Sequence, residues 1–400
     1  MARLLVPALA ALLLFLSLHP ACLAAGSGDI INKTTVALLA VSKDKATQQY
    51  VSFLWQRTPL VPVKAVLDLA GASLWVDCES GYTSSTYRGV PCGSKPCRLA
   101  RTAACATSCS APPSPSCLND TCGGFPSNTV TRVSTSGNIL TDALALPTTF
   151  RPAAGPARAR AGVPLHLRLH GNNTPPASCS SATRALRVPA WGGRVGVADL
   201  HAAARQPGEH GGRVKEKGTK SDEYFVGVTA IKVNGRAVPL NATLLAIDRK
   251  TGVGGTKLST VAPYTVLETS IHAAVTAAFA AETSSAKVPR APAVAPFALC
   301  YDGSKVGSTR VGPAVPTIEL VMGSDAASWV VFGANSMVRT AAGALCLGVV
   351  DGGKAPRTSV VIGGHMMEDN LLEFDLDRSR LGFSSSLLFR QTNCNNYHLG

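Results

Sequence analysis

Between Tyr50 and Cys78 apolar residues (Val, Leu, Trp) alternate with polar ones, and prolines stand at 59 and 62. A period of two predicts half-buried strands, with the prolines at edges because proline cannot donate to a strand ladder. Residues 80–125 are rich in turn formers and cysteine, and Thr129 to Leu146 returns to short strands around a Ser136-Gly137-Asn138 turn. After Ser221 the strands resume. Phe225–Val233 and Arg236–Leu240 flank Asn234-Gly235, the dipeptide favoured in two-residue hairpin turns. From Val266 to Ala281 apolar residues recur three and four apart, which predicts a helix starting near Thr265. Further strands are predicted at Thr317–Met322, Ser328–Gly333, Leu345–Val350 and Thr358–Ile362. Only 151–218, rich in Ala, Arg, Gly and Pro, has no period. Many short strands and few helices predict a mainly β chain, and the strand–turn–helix around 259–281 fits the second half of a two-lobed fold.

Length and composition agree with two lobes. The 400 residues, 46% of them hydrophobic, can bury two cores. Arg3, the apolar run Leu4–Leu18 and the small residues Cys22, Ala24 and Ala25 read as a signal peptide over 1–25. The expected organisation is then an N-terminal lobe over 26–220 and a C-terminal lobe over 221–400. No later stretch is apolar enough for a membrane helix, so the expected product is an exported, extracellular monomer of the cell wall.

Of twelve cysteines one, Cys22, lies in the leader, and seven of the other eleven crowd between Cys78 and Cys122. In an oxidising compartment this reads as a disulfide framework. A zinc site at Cys92 and Cys97 is disfavoured because no histidine lies near, and neither metal nor cofactor is implied. Cys300 and Cys346 are the only cysteines between 221 and Cys394 and are expected to pair. Asn32, Asn119, Asn172 and Asn241 head glycosylation sequons. The net charge of +14 invites a nucleic-acid reading. Eight arginines between Gly155 and Arg213, against Asp199 and Glu209, supply +6 of it without helical period or aromatic interleaving, which argues against nucleic acid.

The stretch Ala65-Val66-Leu67-Asp68-Leu69-Ala70-Gly71-Ala72-Ser73-Leu74-Trp75-Val76 resembles the first active-site strand of pepsin-like proteases, with Trp seven residues after Asp68. Val360-Val361-Ile362-Gly363-Gly364, Glu368 to Leu376 and Leu381-Gly382-Phe383 resemble the closing strands of plant members. With Ala262-Pro263-Tyr264-Thr265-Val266-Leu267 and the cysteine cluster, the chain resembles the cereal xylanase inhibitors and basic 7S globulins over about 30–155 and 218–397. The resemblance implies a pepsin-like two-lobed fold.

Pepsin-like proteolysis needs two carboxylates ~3 Å apart sharing a proton. The match places Asp68 at the first position and Ser259 at the second, within Leu258-Ser259-Thr260-Val261-Ala262. Leu69 and Ala70 replace the Thr and Gly after the first Asp, and Phe125-Pro126-Ser127-Asn128 offers no flap tyrosine. The expectation is a degenerate dyad, with Asp68 a structural carboxylate and His272 and His365 packing or facing solvent. An aspartic endopeptidase and a storage or wall globulin are the alternatives.

As a xylanase inhibitor the chain would bind a microbial jelly-roll endoxylanase in plant defence. The family presents a histidine before its last cysteine to the enzyme's carboxylates. Here Leu388-Phe389-Arg390-Gln391-Thr392-Asn393 precedes Cys394 without one, and Arg390 is the candidate cation. Val306, after Cys300-Tyr301-Asp302, matches a second, apolar contact.

The resemblance fails between 155 and 213. Gly162–Leu169, Val188–Trp191 and His201–Arg213 can each be encoded so that the reading displaced by one base gives a family-like stretch, the first Ala-Phe-Leu-Phe-Thr-Cys-Gly. The three fall in family order and in one displaced frame, so the segment reads as a frameshift, with a divergent basic loop as the alternative. Two family cysteines are then lost and Cys179 gained, which leaves orphans; Cys394 is expected among them.

Overall fold

The computed structural model describes residues 39–146, 179–182, 196–202, 223–375 and 379–394, except positions 72–73, 79–80, 101, 107, 111, 113, 116, 127, 129 and 132. It is mainly β. Near the N-terminus the strand Tyr50–Gln56 pairs antiparallel with Val61–Val66, Val51 opposite Val66 and Gln56 opposite Val61. Its other edge takes Val41–Lys43 and then Leu144–Ala145. Alternation sets the faces: Tyr50, Leu54 and Gln56 are buried, whereas Phe53 and Trp55 remain 49% and 37% exposed.

The cysteine-rich stretch is closed by Cys92–Cys105, Cys97–Cys122 and Cys109–Cys117. These cross-links hold together short elements that bury little, such as the Lys95–Leu99 helix capped by Ser94. The residues expected to turn at 136–138 instead place Gly137 and Asn138 in a strand against Gly123 and Gly124. The three glycines of that ladder lack the side chain that would otherwise keep the two backbones apart.

The C-terminal lobe holds the main core. Val228–Val233 turns at Asn234 (φ 50°) and Gly235 (φ 77°) into Arg236–Ala237, the pair of positive φ values a type I′ turn requires. It then pairs with Ile318–Met322, which pairs with Ser324–Val331. Cys300 and Cys346 sit opposite each other on adjacent strands and are disulfide-linked. The helix runs Thr269–Ser285, later than the sequence pattern places it. Thr265–Leu267 is instead a strand between Val349–Asp351 and Val360–Ile362, and Glu268 caps the helix by accepting from the Ser270 and Ile271 amides. Ile271, Val275 and Phe279, spaced by four, are its buried stripe. Trp329, fully buried, stacks on Phe383 at 5.5 Å and donates its indole N–H to Asn370.

A nine-stranded sheet joins the two halves of the chain, in the order Cys179–Ala182, Leu371–Asp375, Arg380–Phe383, Gly196–Ala202, Tyr224–Val226, Thr256–Leu258, Val360–Ile362, Thr265–Leu267, Val349–Asp351. Two of its strands come from the segment whose composition shows no period.

Candidate functional site

Asp68 and Ser259 each follow a strand and stand at the head of a tight turn. The Asp68 carboxylate accepts from the Ala70 amide at 2.9 Å, and the Ser259 hydroxyl accepts from the Val261 and Ala262 amides at 3.2 and 3.1 Å. Short polar side chains favour such turns because they bond their own backbone two or three residues on. Thr260, 1% exposed, ties the two turns together. Its hydroxyl donates to the Leu67 carbonyl at 2.6 Å and accepts from the Leu69 amide at 3.1 Å, and these residues bracket Asp68. The arrangement is one-sided. At the matching place after Asp68 stands Leu69, which has no hydroxyl to return the bond and packs on the core of the C-terminal lobe. Gln49 adds a further tie, its side-chain amide donating to the Val261 carbonyl at 3.0 Å.

A few residues away lies a cluster that the sequence reading missed. The Glu368 carboxylate receives the Lys43 ammonium at 2.9 Å and the Tyr50 hydroxyl at 3.2 Å on one oxygen, and His365 Nδ1 lies 3.2 Å from the other. His365 Nε2 faces the Met337 carbonyl at 2.9 Å. Burial alone would raise the Glu368 pKa, but the bond and charge of His365 and the Lys43 ammonium outweigh it, and the carboxyl lies below its ordinary value. Burial first, then the Glu368 charge, holds the Tyr50 phenol far above its usual range, so Tyr50 remains a donor. Gly364 admits the Tyr50 ring: a Cβ there would lie 1.9 Å from a ring carbon. One cue was available in the sequence, an acid and a histidine placed three residues apart just after the Gly363-Gly364 pair.

Near the end of the described chain, Leu387–Arg390 forms a single 3₁₀ turn, with Gln391 left-handed at φ 56°. Asp369 holds both ends of the loop: its carbonyl accepts from the Leu387 amide at 2.7 Å and its carboxylate from the Cys394 amide at 3.1 Å. Phe389 packs edge-on against Phe332 at 4.6 Å while staying 47% exposed, and Arg390 and Gln391 are exposed. Thr392 is half-buried. Val306 is half-buried and packs against the main core, so it offers only part of its surface.

The family models for the xylanase inhibitor N-terminal and C-terminal domains match residues 50–166 and 223–385. The chain belongs to the xylanase-inhibitor-like family of pepsin-fold proteins. Among its relatives, the "Probable aspartic proteinase GIP2" of Nicotiana benthamiana is 43% identical, covering 90% of this chain and 91% of that protein. The "Basic 7S globulin" of Glycine max is 32% identical, over 88% of this chain and 89% of that one. The crystal structure of edgp superposes with a TM-score of 0.76 at 37% identity, over 91% of this chain and 98% of the other.

The two family models leave 167–222 unmatched, and that stretch includes most of the segment read as displaced. Cysteine pairing bears on the same stretch. Contrary to expectation Cys394 is disulfide-bonded, its amide already fixed by Asp369. The free cysteine among the described residues is Cys78, half-buried, its thiol pushed up to about 11, chiefly by burial. Among the sequon asparagines, Asn119 and Asn241 are exposed, whereas Asn32 and Asn172 lie outside the described residues, as does the 1–25 leader. Among the described residues no helix is long and apolar enough to cross a membrane.

Proposed function

We propose that this chain is an exported, non-proteolytic pepsin-fold protein that binds and blocks a microbial jelly-roll endoxylanase. The observation that carries this reading is the loop from Leu387 to Cys394. It is held at both ends by Asp369 and backed by Phe332, and it offers an aromatic ring and a guanidinium to solvent. A loop ordered before binding spends little entropy on association. An exposed arginine beside an aromatic anchor suits a cleft lined by the two carboxylates of a glycosidase, through charge-assisted hydrogen bonds.

The non-proteolytic half of the reading places Ser259 where a protease carries its second aspartate. In its favour, Thr260 bonds the residues on either side of Asp68, which puts Ser259 and Asp68 at the heads of joined turns. A hydroxyl does not ionise at neutral pH, so it cannot share a proton with a carboxylate. Purified protein is expected to leave a denatured protein substrate intact at about pH 3–5. Cleavage that disappears in Asp68→Asn would overturn this.

For the inhibitory half, the measurement is titration of endoxylanase activity with the full chain. Arg390→Ala and Phe389→Ala are each expected to weaken inhibition about 10- to 30-fold, up to the threshold of an interface hot spot. Unchanged inhibition in both variants would remove this loop from the interface. The relatives named basic 7S globulin and gamma conglutin favour a second reading, a storage or wall globulin without such a partner. Absence of binding to any jelly-roll xylanase would establish that one instead.

A further inference from the structure

We propose that Asn241 carries an N-linked glycan and that Asn119, in the same Asn-x-Thr pattern, does not. This rests on the reading that the chain is exported. The glycan donor is a lipid-linked oligosaccharyl pyrophosphate. The side-chain nitrogen attacks the sugar's anomeric carbon, forming the C–N bond. The bond from that carbon to the pyrophosphate oxygen breaks, the electron pair leaves with the lipid pyrophosphate, and the amide proton passes to a base of the transferase.

At Asn241 the fold sets this chemistry up locally. Asn241, Ala242 and Thr243 are all exposed; Asn241 caps the 3₁₀ turn Ala242–Leu244, whose first two residues are Ala242 and Thr243. The Asn241 oxygen accepts from the Thr243 hydroxyl at 2.7 Å and from its amide at 3.1 Å. Nδ2 makes no hydrogen bond to the described residues and is left to solvent. The bonds that shape the turn span only two or three residues, so it forms on a chain emerging into the lumen, before any tertiary contact exists.

Asn119 is built the other way. Its oxygen accepts from the Cys109 amide at 2.7 Å, ten residues back, in the loop closed by Cys109–Cys117. Asp120, the middle residue, has φ 52°. Thr121 is 5% exposed, and its hydroxyl faces the Leu118 carbonyl and the Asn138 side-chain oxygen, 17 residues on. The next residue, Cys122, is bonded to Cys97. Once these disulfides close, the threonine hydroxyl is turned away from the asparagine it must assist.

The test is expression of the full chain in a eukaryotic secretory host, with its own leader and in parallel with a substituted leader. Amidase release in isotopically heavy water then marks occupied asparagines for peptide mapping. Asn241 is expected to be converted in most molecules and Asn119 unconverted. Asn241→Gln and Thr243→Ala should each abolish one endoglycosidase-sensitive step in mobility, Thr243→Ser should keep it, and Asn119→Gln should change nothing. An unconverted Asn241 behind both leaders, or conversion at Asn119, overturns the assignment. Conversion only behind the substituted leader upholds the site and overturns the export reading.

Discussion

Glu368→Gln is expected to destabilise the protein by about 2–4 kcal/mol, and to do so mainly by loosening the two halves of the fold from each other. Lys43 and Tyr50 belong to the N-terminal sheet, whereas His365 and Glu368 belong to the C-terminal lobe, 325 residues from Lys43 in sequence. Removing one member of a buried ion pair typically costs about 3–5 kcal/mol because its partners stay buried without compensation. The Lys43 and Glu368 side chains remain 23% and 20% exposed, which lowers the expected figure. Acid sensitivity supplies an independent readout. The folded Glu368 pKa is depressed, so its contribution is fully present above the ordinary glutamate value. It is lost as the pH falls through the depressed one. Wild-type stability should therefore decline on acidification below the ordinary glutamate range, and the Glu368→Gln variant should show a shallower decline over the same window. Calorimetric melting against pH measures both. Parallel acid limbs in the two proteins would sink the idea that this carboxylate is a principal tie.

Restoring the reading frame across 155–213 is expected to have a larger effect, a gain of roughly 3–7 kcal/mol and the loss of a free thiol. We propose this from the stretch 167–222, which neither family model matches, and from two features of the described fold. Phe53 and Trp55 stand next but one to each other on the Tyr50–Gln56 strand and are 49% and 37% exposed. Covering the rest of two aromatic rings contributes about 1–3 kcal/mol on the scale of full side-chain burial. Cys78 is free, half-buried and held protonated by its surroundings, and the displaced frame supplies a cysteine in Phe-Thr-Cys-Gly. A new long-range disulfide adds about 2–4 kcal/mol. The comparison is between the chain as given and the frame-restored chain, by denaturant unfolding and by thiol titration in denaturant. The first should yield the Cys78 thiol and the second none. A chain as given that has no reactive thiol and melts no lower than the restored one would reinstate the view of 155–213 as a divergent loop.

The features legible in the sequence are those whose physical cause lies within a few residues. Asn234-Gly235 tolerates positive φ at both positions and so turns the hairpin wherever it sits. Alternation between Tyr50 and Val66 marks strands because successive side chains point to opposite faces. The motif around Asp68, together with the stretch after Val360, carried the family and with it the mainly β, pepsin-like fold. The helix start was misplaced because Thr265-Val266-Leu267 is apolar enough to extend the helical pattern. Its pairing with Val349–Asp351 and Val360–Ile362 decides that it is a strand.

The candidate site divides along the same line. Asp68, Ser259 and the turn before Cys394 could be found from motifs, because each rests on residue type and spacing along the chain. That Thr260 bridges both sides of Asp68, that Asp369 closes both ends of the Leu387–Cys394 loop, and that Lys43, Tyr50 and His365 converge on Glu368 follow only from the assembled fold. A local turn is encoded by the conformational preferences of its own residues. A buried polar group is stable only beside partners that other strands deliver, and which strands those are depends on packing that no short stretch of sequence contains.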